Sequence, residues 1–534
     1  MTRGTLFILY CLFAVSLQKS TPQDDSYVAA VVEYEVRANI ETNVQNYVKL
    51  VKEAADQNAD VIVFPEMTLT RGARRVVVPI YGALKDSPVP ALRPDLYDAI
   101  LVSISEAARQ HQIYVVINLQ ELMDCNNAPG EYCPEQKKYQ FNTNVVFDRT
   151  GAVIDRYRKI NLFGEFTRTP ALKPDLGVFT TDFGVTFGHF ICFDLMFQVP
   201  AAQVVEKNNI TDVIFSTMWF SEMPYLTATE IQEAYAYSMN VNFLAAGANN
   251  VGLGSAGSGI YSGRAGSLIS VMPGVPTTRL LVSRVPKIPG EVKEPFPGPI
   301  SDDPKSVDNL VLISDPSLPS HVSRQLVEGA QEFILTTNEV SCKFRVKLRL
   351  SDSEQGPYYR ALAKDSFNVY ARQTMGVAAC SLTACKNNTI ESCPYRFKNK
   401  DSAEIEELEI EMTTHRLHYN STLQCSDIVY YPVSMRNDKV PVRPKNFTFV
   451  VDSKVDSQNV PSSDNNIDAN LNRKERITYK LNAPQTGLVA FGVWGRIFNR
   501  DVGYHKEPTE DDLRNYMEIE DWIFKIDKKH KATI

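Results

Sequence analysis

Val61-Ile62-Val63-Phe64-Pro65-Glu66 is a continuous apolar run ended by a proline and a carboxylate. A strand with one wet face alternates apolar and polar residues, whereas an unbroken run this short suits a strand covered on both faces. The same pattern extends outward from it. Upstream, Tyr27 to Val32 reads as a strand, and Val44, Tyr47, Val48, Val51 and Ala55 recur at helical spacing. Downstream, Tyr97, Ile100, Leu101, Ile104 and Ala108 form a second helical pattern, followed by a strand from Ile113 to Ile117. Segments 144–148 and 152–157 flank Arg149-Thr150-Gly151 as a hairpin. Phe187 to Phe193, Asp212 to Ser216 and Asn242 to Ala248 read as further strands, with helical stretches from about Pro200 and about Leu226. Repeated strand–helix units with buried strands predict an α/β layered fold.

The pattern stops where Pro286, Pro289, Pro295, Pro297, Pro299 and Pro304 crowd together, which suits a linker or an exposed crossing. Beyond it, Phe344 to Leu350, Phe447 to Val451 and Gly487 to Trp494 favour strands among turns. The chain of 534 residues is too long for one core. Its expected division is an α/β domain over 25–310 and a smaller, mainly β domain over 311–534.

Composition narrows the class. An apolar fraction of 44% and a charged fraction of 22% are those of a globular protein. A net charge of −7, with no basic tract, argues against nucleic acid as a partner. Arg3, the apolar run Leu6 to Val15 and the polar stretch from Gln18 follow the order of a secretory signal, so 1–20 is expected to be a signal peptide cleaved around residues 16 to 20. The run is too short for a membrane span, and the charged C-terminus lacks the apolar tail of a lipid-anchor signal. A secreted, extracellular protein with no stable membrane anchor is expected. Asn209, Asn387, Asn420 and Asn446 open glycosylation sequons that agree with export.

Nine cysteines sharpen the compartment. Cys11 leaves with the signal. Cys125 and Cys133 bracket a short loop. Cys342, Cys380, Cys385, Cys393 and Cys425 mark the C-terminal region as a disulfide-stapled module. These seven are the disulfide candidates, and because five is odd, one C-terminal thiol stays free unless it pairs elsewhere. Cys192 stands apart in an apolar strand.

Three polar residues sit at the ends of expected strands, where open α/β sheets place their sites. Taken singly, each has a plain reading. Glu66 after Phe64-Pro65 is a loop carboxylate, Lys159 beside Arg158 a solvated hairpin end with Glu165 within pairing reach, and Cys192 a small buried hydrophobe. Yet Cys192 ends its strand as the chain turns toward a helix, where backbone N–H groups stabilise anions. A nearby ammonium would favour its thiolate. His415 and His418 are three apart with no third ligand nearby, so no metal is expected.

Taken together, Phe64-Pro65-Glu66, Arg158-Lys159 with Glu165, and Cys192-Phe193-Asp194 match the three motifs of the nitrilase superfamily, and Thr217-Met218-Trp219 matches a further position. Asp124-Cys125 with Cys133-Pro134, Tyr139 to Asp148 and Gly257 to Tyr261 resemble the vanin and biotinidase branch. The resemblance implies a four-layer αββα sandwich followed by a β "base" domain. It also implies hydrolysis of a small-molecule amide by a Glu66–Lys159–Cys192 triad without cofactor or metal. In that reading Glu165 holds Lys159, the Phe193 N–H helps bind the oxyanion, and Trp219 and Tyr114 line the substrate pocket. Pantetheine is the first substrate implied, and a biotinyl amide such as biocytin the alternative. The reading from another class is a non-catalytic secreted binding or scaffold relative, against which the joint presence of these four polar residues argues. A monomer is expected.

Overall fold

A computed structural model describes residues 19–70, 74–165, 167–301, 307–351, 356–418, 425–455 and 471–502. The expected signal segment, apart from Lys19 and Ser20, lies outside them, as do Asn420, the side chains of His415 and His418, and the charged C-terminus. Lys19 donates to the Ala59 carbonyl at 2.7 Å and Ser20 to Asp60 at 2.6 Å, so both belong to the folded body.

The first half of the α/β domain comprises β1 (Ser26–Glu35), α1 (Ile40–Asp56), β2 (Val61–Val63), α2 (Ala83–Asp86), α3 (Ala99–His111), β3 (Tyr114–Asp124), β4 (Lys138–Phe147) and β5 (Val153–Arg158). The second comprises β6 (Val178–Thr180), β7 (Thr186–Ile191), α4 (Gln203–Glu206), β8 (Asp212–Thr217), β9 (Glu222–Met223), α5 (Ala228–Met239), β10 (Asn242–Asn249), β11 (Ser258–Ser262), β12 (Gly266–Val271) and β13 (Arg279–Pro286). Strands β13-β1-β2-β3-β4-β5 form one sheet, and β6-β7-β8-β10-β11-β12 the other; they join where Tyr34 and Glu35 pair with Ala248 and Asn249.

The expected both-faces burial is visible residue by residue. Along β1, Ala30, Val32 and Tyr34 pack on the helices, while Tyr27, Ala29 and Val31 enter the space between the sheets. In β2, Ile62 faces the helices and Val61 and Val63 face inward, as the period of two requires. Helix α1 is capped by Asn39, whose side chain accepts from the Thr42 N–H, and buries Tyr47, Leu50, Val51 and Ala54 on one face. Helix α3 is capped by Asp98 and lies beside it. On the opposite side α5 covers β10 and β11, completing the helix–sheet–sheet–helix order. The proline-rich crossing is not featureless: β14 (Gly298–Ile300) adds to β12, and β15 (Ile313–Ser314) pairs with β9.

The C-terminal domain is a β-sandwich. Strands β16 (Val322–Gln325), β17 (Gly329–Thr337), β18 (Val340–Leu350), β19 (Tyr358–Tyr370) and β20 (Gln373–Cys385) are followed by β21 (Ala403–His418), β22 (Ile428–Arg436), β23 (Phe447–Val455), β24 (Leu471–Leu481), β25 (Gln485–Thr486) and β26 (Leu488–Ile497). A five-stranded sheet β16-β19-β20-β26-β22 faces a six-stranded one built on β17-β18-β21-β24-β23. The Cys342–Cys380 disulfide ties β18 to β20 across the core.

Cys125–Cys133 and Cys385–Cys393 close short loops. Cys425 is not in a disulfide, which corrects its place among the candidates. The other four C-terminal cysteines pair among themselves, leaving Cys425 as the odd thiol beside Gln198 and Glu206. Of the sequons, Asn209 and Asn387 are exposed and Asn446 is half-buried.

The five-stranded sheet also faces the α/β domain. In β20, Ala378, Cys380 and Leu382 point into the sandwich, while Val377 and Ala379 pack toward β7 and α5. Arg496, fully buried on β26, donates from Nε to the Met196 carbonyl at 2.9 Å and pairs with Asp501 at 2.6 Å. The two domains thus share one packed interface.

Replacing both Cys342 and Cys380 by serine is expected to cost about 2–4 kcal/mol, the usual worth of a loop-closing disulfide. A urea melt of the sandwich reads it, and an unchanged midpoint would show that packing alone holds the sheets. Arg496→Ala strips Asp501 and the Met196 carbonyl of their partner and is expected to cost about 3 kcal/mol. Calorimetry checks this, and a loss within about 0.5 kcal/mol, as for a surface change, would contradict it.

Candidate active site

Glu66, Lys159 and Cys192 come from three strand ends that meet on one edge of the sandwich. Glu66 follows β2, Lys159 follows β5, and Cys192 follows β7. All three are buried. The Lys159 ammonium donates to Glu66 Oε1 at 2.8 Å and to Glu165 Oε1 at 2.6 Å. Asn142 on β4 mirrors it, its amide reaching Glu66 Oε1 at 2.7 Å and Glu165 Oε2 at 2.9 Å. The remaining Glu66 oxygen accepts from the Met218 backbone N–H at 2.8 Å, just past β8. Glu66 is thereby pinned from both sheets.

The same economy holds Lys159. Its backbone N–H bonds the Asn142 carbonyl at 2.9 Å, and the preceding Arg158 forms a fork onto Glu121 while its guanidinium lies 3.9 Å over the Phe141 ring. Arg168 pairs with Glu165 at 3.1 Å. Burial alone would lower the Lys159 ammonium, but Glu165, Glu66 and Cys192 outweigh it and hold the group well above the ordinary lysine value. Burial likewise opposes ionisation of Glu165, yet Lys159 and Arg168 keep it below the usual carboxylate range.

Cys192 opens a 3₁₀ turn, Cys192–Met196, with its backbone in the left-handed region at φ +48°. That conformation costs a non-glycine residue about 1 kcal/mol or more and marks sites where structure overrides local preference. Asp194 secures the turn, accepting from Tyr157 Oη at 2.7 Å, the Asn161 N–H and side-chain amide at 2.9 Å each, and the Ile191 N–H at 3.2 Å. Through Tyr157 and Asn161 it locks the Lys159 loop to the cysteine turn. Burial pushes the Asp194 carboxyl up to about 6, against the pull of Lys159 and these donors.

The ammonium is one of several influences on the thiol. Burial raises the Cys192 pKa far above the ordinary thiol value, and the facing Glu66 carboxylate adds to the rise. Lys159 and the Thr217 hydroxyl pull the other way and lose. Lys159 thus favours the thiolate as expected, but the balance leaves a protonated thiol facing a carboxylate.

Cys192 opens onto a narrow cavity of about 50 Å³ whose walls include Phe163, Phe193, Met218, Trp219, Phe220 and Tyr370. Trp219 is fixed by donating from Nε1 to the Leu226 carbonyl at 2.8 Å. Phe193 packs edge-on against Phe163 at 5.0 Å. Tyr114 is not there, which corrects the expectation for it. It starts β3 opposite Val61, at the strand ends remote from Glu66, and its hydroxyl accepts from the Asp182 N–H inside the inter-sheet core. Its aromatic partner is Phe183, not the cavity. A larger cavity, about 480 Å³ between β13 and segment 288–297, holds none of these residues.

Sequence reasoning passed over Asn142, Asp194, Glu222 and Tyr370. The first two lie inside quoted motifs, where a polar residue in an otherwise apolar strand or turn was the available signal. Tyr370 reaches the cavity from the C-terminal domain, and nothing local announces that.

The chain matches the carbon–nitrogen hydrolase family over residues 28–273 and the vanin C-terminal domain over residues 311–501. Vanin-like protein 1 of Drosophila melanogaster is 30% identical over 547 aligned residues, covering 95% of this chain and 92% of the relative. A human biotinidase is 35% identical over 256 residues, 46% of this chain and 47% of its own. A human pantetheine hydrolase is 33% identical over 285 residues, 49% of this chain and 54% of its own. With identity sustained over nearly its whole length, both domains matched and the αββα order beneath them, the chain belongs to the carbon–nitrogen hydrolases of the nitrilase superfamily, in the vanin and biotinidase branch.

Proposed function

We propose that the chain is a secreted amidohydrolase that works through a thioester on Cys192, with pantetheine as its substrate and pantothenate and cysteamine as products. The observation that carries this reading is Lys159 bonded to Glu66 in a buried site where both face the Cys192 thiol beside an apolar cavity. Because the thiol is protonated at rest, a base must act as it attacks, and Glu66 is the carboxylate facing it. Sulfur adds to the amide carbonyl while its proton passes to Glu66. The Lys159 ammonium stabilises the oxyanion, a kind of contact worth about 3 kcal/mol, and the Phe193 N–H is the second donor. Glu66 returns the proton to the nitrogen, the C–N bond breaks and the amine leaves. A water then gives its proton to Glu66 and adds to the thioester, and collapse of the adduct frees the acid and restores the thiol.

Glu165 and Asn142 are positioning residues here, fixing the ammonium and the carboxylate relative to each other. Secretion is supported by the leader-like N-terminus, three disulfides of the kind kept in oxidising compartments, and exposed sequons. Biotinyl amides are the second reading, supported by the biotinidase relatives.

Purified protein is expected to release cysteamine from pantetheine, with turnover lost in Cys192→Ala while the thermal melt is kept. Biotin release from biocytin instead would move the substrate within the same chemistry, and turnover in the alanine variant near wild type would end the mechanism. The resting thiol gives a separate check. Thiolate absorbance assigned to Cys192, by difference from Cys192→Ala, is expected to be absent below about pH 8.5, the ordinary thiol value. A thiolate already formed at neutral pH would contradict the protonated ground state.

A further inference from the structure

One polar side chain of the cavity wall has no place in the mechanism. Glu222 lines the same space as Cys192, and its carboxyl makes no hydrogen bond or ion pair among the described residues. It is presented by β9, which pairs with β15 through Glu222–Ile313 and Met223–Ser314, so the inter-domain crossing sets its position. The groups behind it are already committed. Asp315 accepts from the Ser317 N–H at 2.7 Å and from Asn368 at 3.3 Å. Lys364 donates to Ser317 Oγ and Asn368 Oδ1. The Tyr370 hydroxyl accepts from Asn368 at 2.7 Å, which leaves its ring to the cavity.

Desolvation, with Asp315 adding and Lys364 opposing, pushes the half-buried Glu222 carboxyl up from the carboxylate range, so it gives up its proton readily only when a donor or cation in the slot stabilises the charged form. The wall around it is aromatic and thioether, and the Trp219 N–H is spent on Leu226. Such a slot gains most from a ligand whose body is apolar and whose end donates a hydrogen bond.

We propose that Glu222 is the specificity residue of this pocket, accepting a hydrogen bond from a hydroxyl or ammonium on the substrate group that lies against Cys192. The slot then selects amides whose apolar body carries a terminal donor and rejects those ending in a carboxylate. This deepens the amidohydrolase reading and rests on one part of it, that the reacting group approaches Cys192.

The test is the second-order rate at which full-length protein is alkylated at Cys192 by chloroacetamides bearing equal-length chains that end in methyl, hydroxyl, ammonium or carboxylate. Labelling of Cys192→Ala is subtracted to remove Cys425. In the wild type, the hydroxyl or ammonium probe is expected to react about tenfold or more faster than the methyl probe, the worth of one hydrogen bond to a charged acceptor, with the carboxylate slowest. Which donor leads separates the two chemistries. Glu222→Leu is expected to bring both donor ratios near one, and Glu222→Gln to keep the hydroxyl preference while losing the ammonium preference and the carboxylate penalty. Equal rates in the wild type, or ratios that survive in the leucine variant, overturn the proposal. Should the leucine variant fail to fold, the glutamine variant decides through its ammonium and carboxylate ratios alone. Graded labelling without amide turnover would sink the proposed reaction and keep Glu222, whereas turnover with flat ratios would sink only Glu222.

Discussion

Two carboxylates and one ammonium gathered at a single point organise this molecule. Lys159 cannot be buried without Glu66 and Glu165, and two carboxylates cannot lie so close without Lys159 between them. Each is delivered by a different segment, so the cluster closes only when β2, β4 and β5 are in register and β8 brings the Met218 N–H to the last free oxygen. The Asn118–Asn142–Asn144 ladder and the Glu121–Arg158 fork serve that registration. Much of the polar matter in the first sheet holds one ion triad steady.

Cysteine chemistry is subordinate to this arrangement. Two carboxylates against one ammonium leave the cluster net negative, so the pull of Lys159 on the sulfur is outweighed. Burial keeps the thiol protonated, and the carboxylate that stabilises the lysine faces it and adds to the effect. In the proposed reaction sulfur becomes nucleophilic only as its proton moves, which would make Glu66 both the lysine's partner and the thiol's base. A protonated, buried thiol resists the oxidation and exchange to which an exposed thiolate is open.

What was legible in the sequence was what is local. Buried strands announce themselves by unbroken apolar runs, as at Val61 to Phe64, and strand ends by the polar residue that follows, as at Glu66, Lys159 and Cys192. Periodicity also separated the helices and flagged the change of class near residue 300. It could not say which end of a strand faces the site: Tyr114 has the right composition but begins its strand instead of ending it. Nor could it foresee Tyr370, Glu222 or Arg496, whose roles come from a contact between domains distant in sequence. Cys425 shows the same limit, since an odd count reveals that a thiol is left over but not which one.

Arg496 reaches back across the interface to the carbonyl of Met196, at the end of the turn that Cys192 begins. A ribosome delivers this chain in order, so the α/β half emerges long before the residue that braces the Cys192 turn. Until β26 has been made and folded onto β20, the turn lacks that brace. Completion of synthesis is thereby built into the competence of the pocket. A chain that stops short of β26 carries Glu66, Lys159 and Cys192 without the Arg496 contact to their turn.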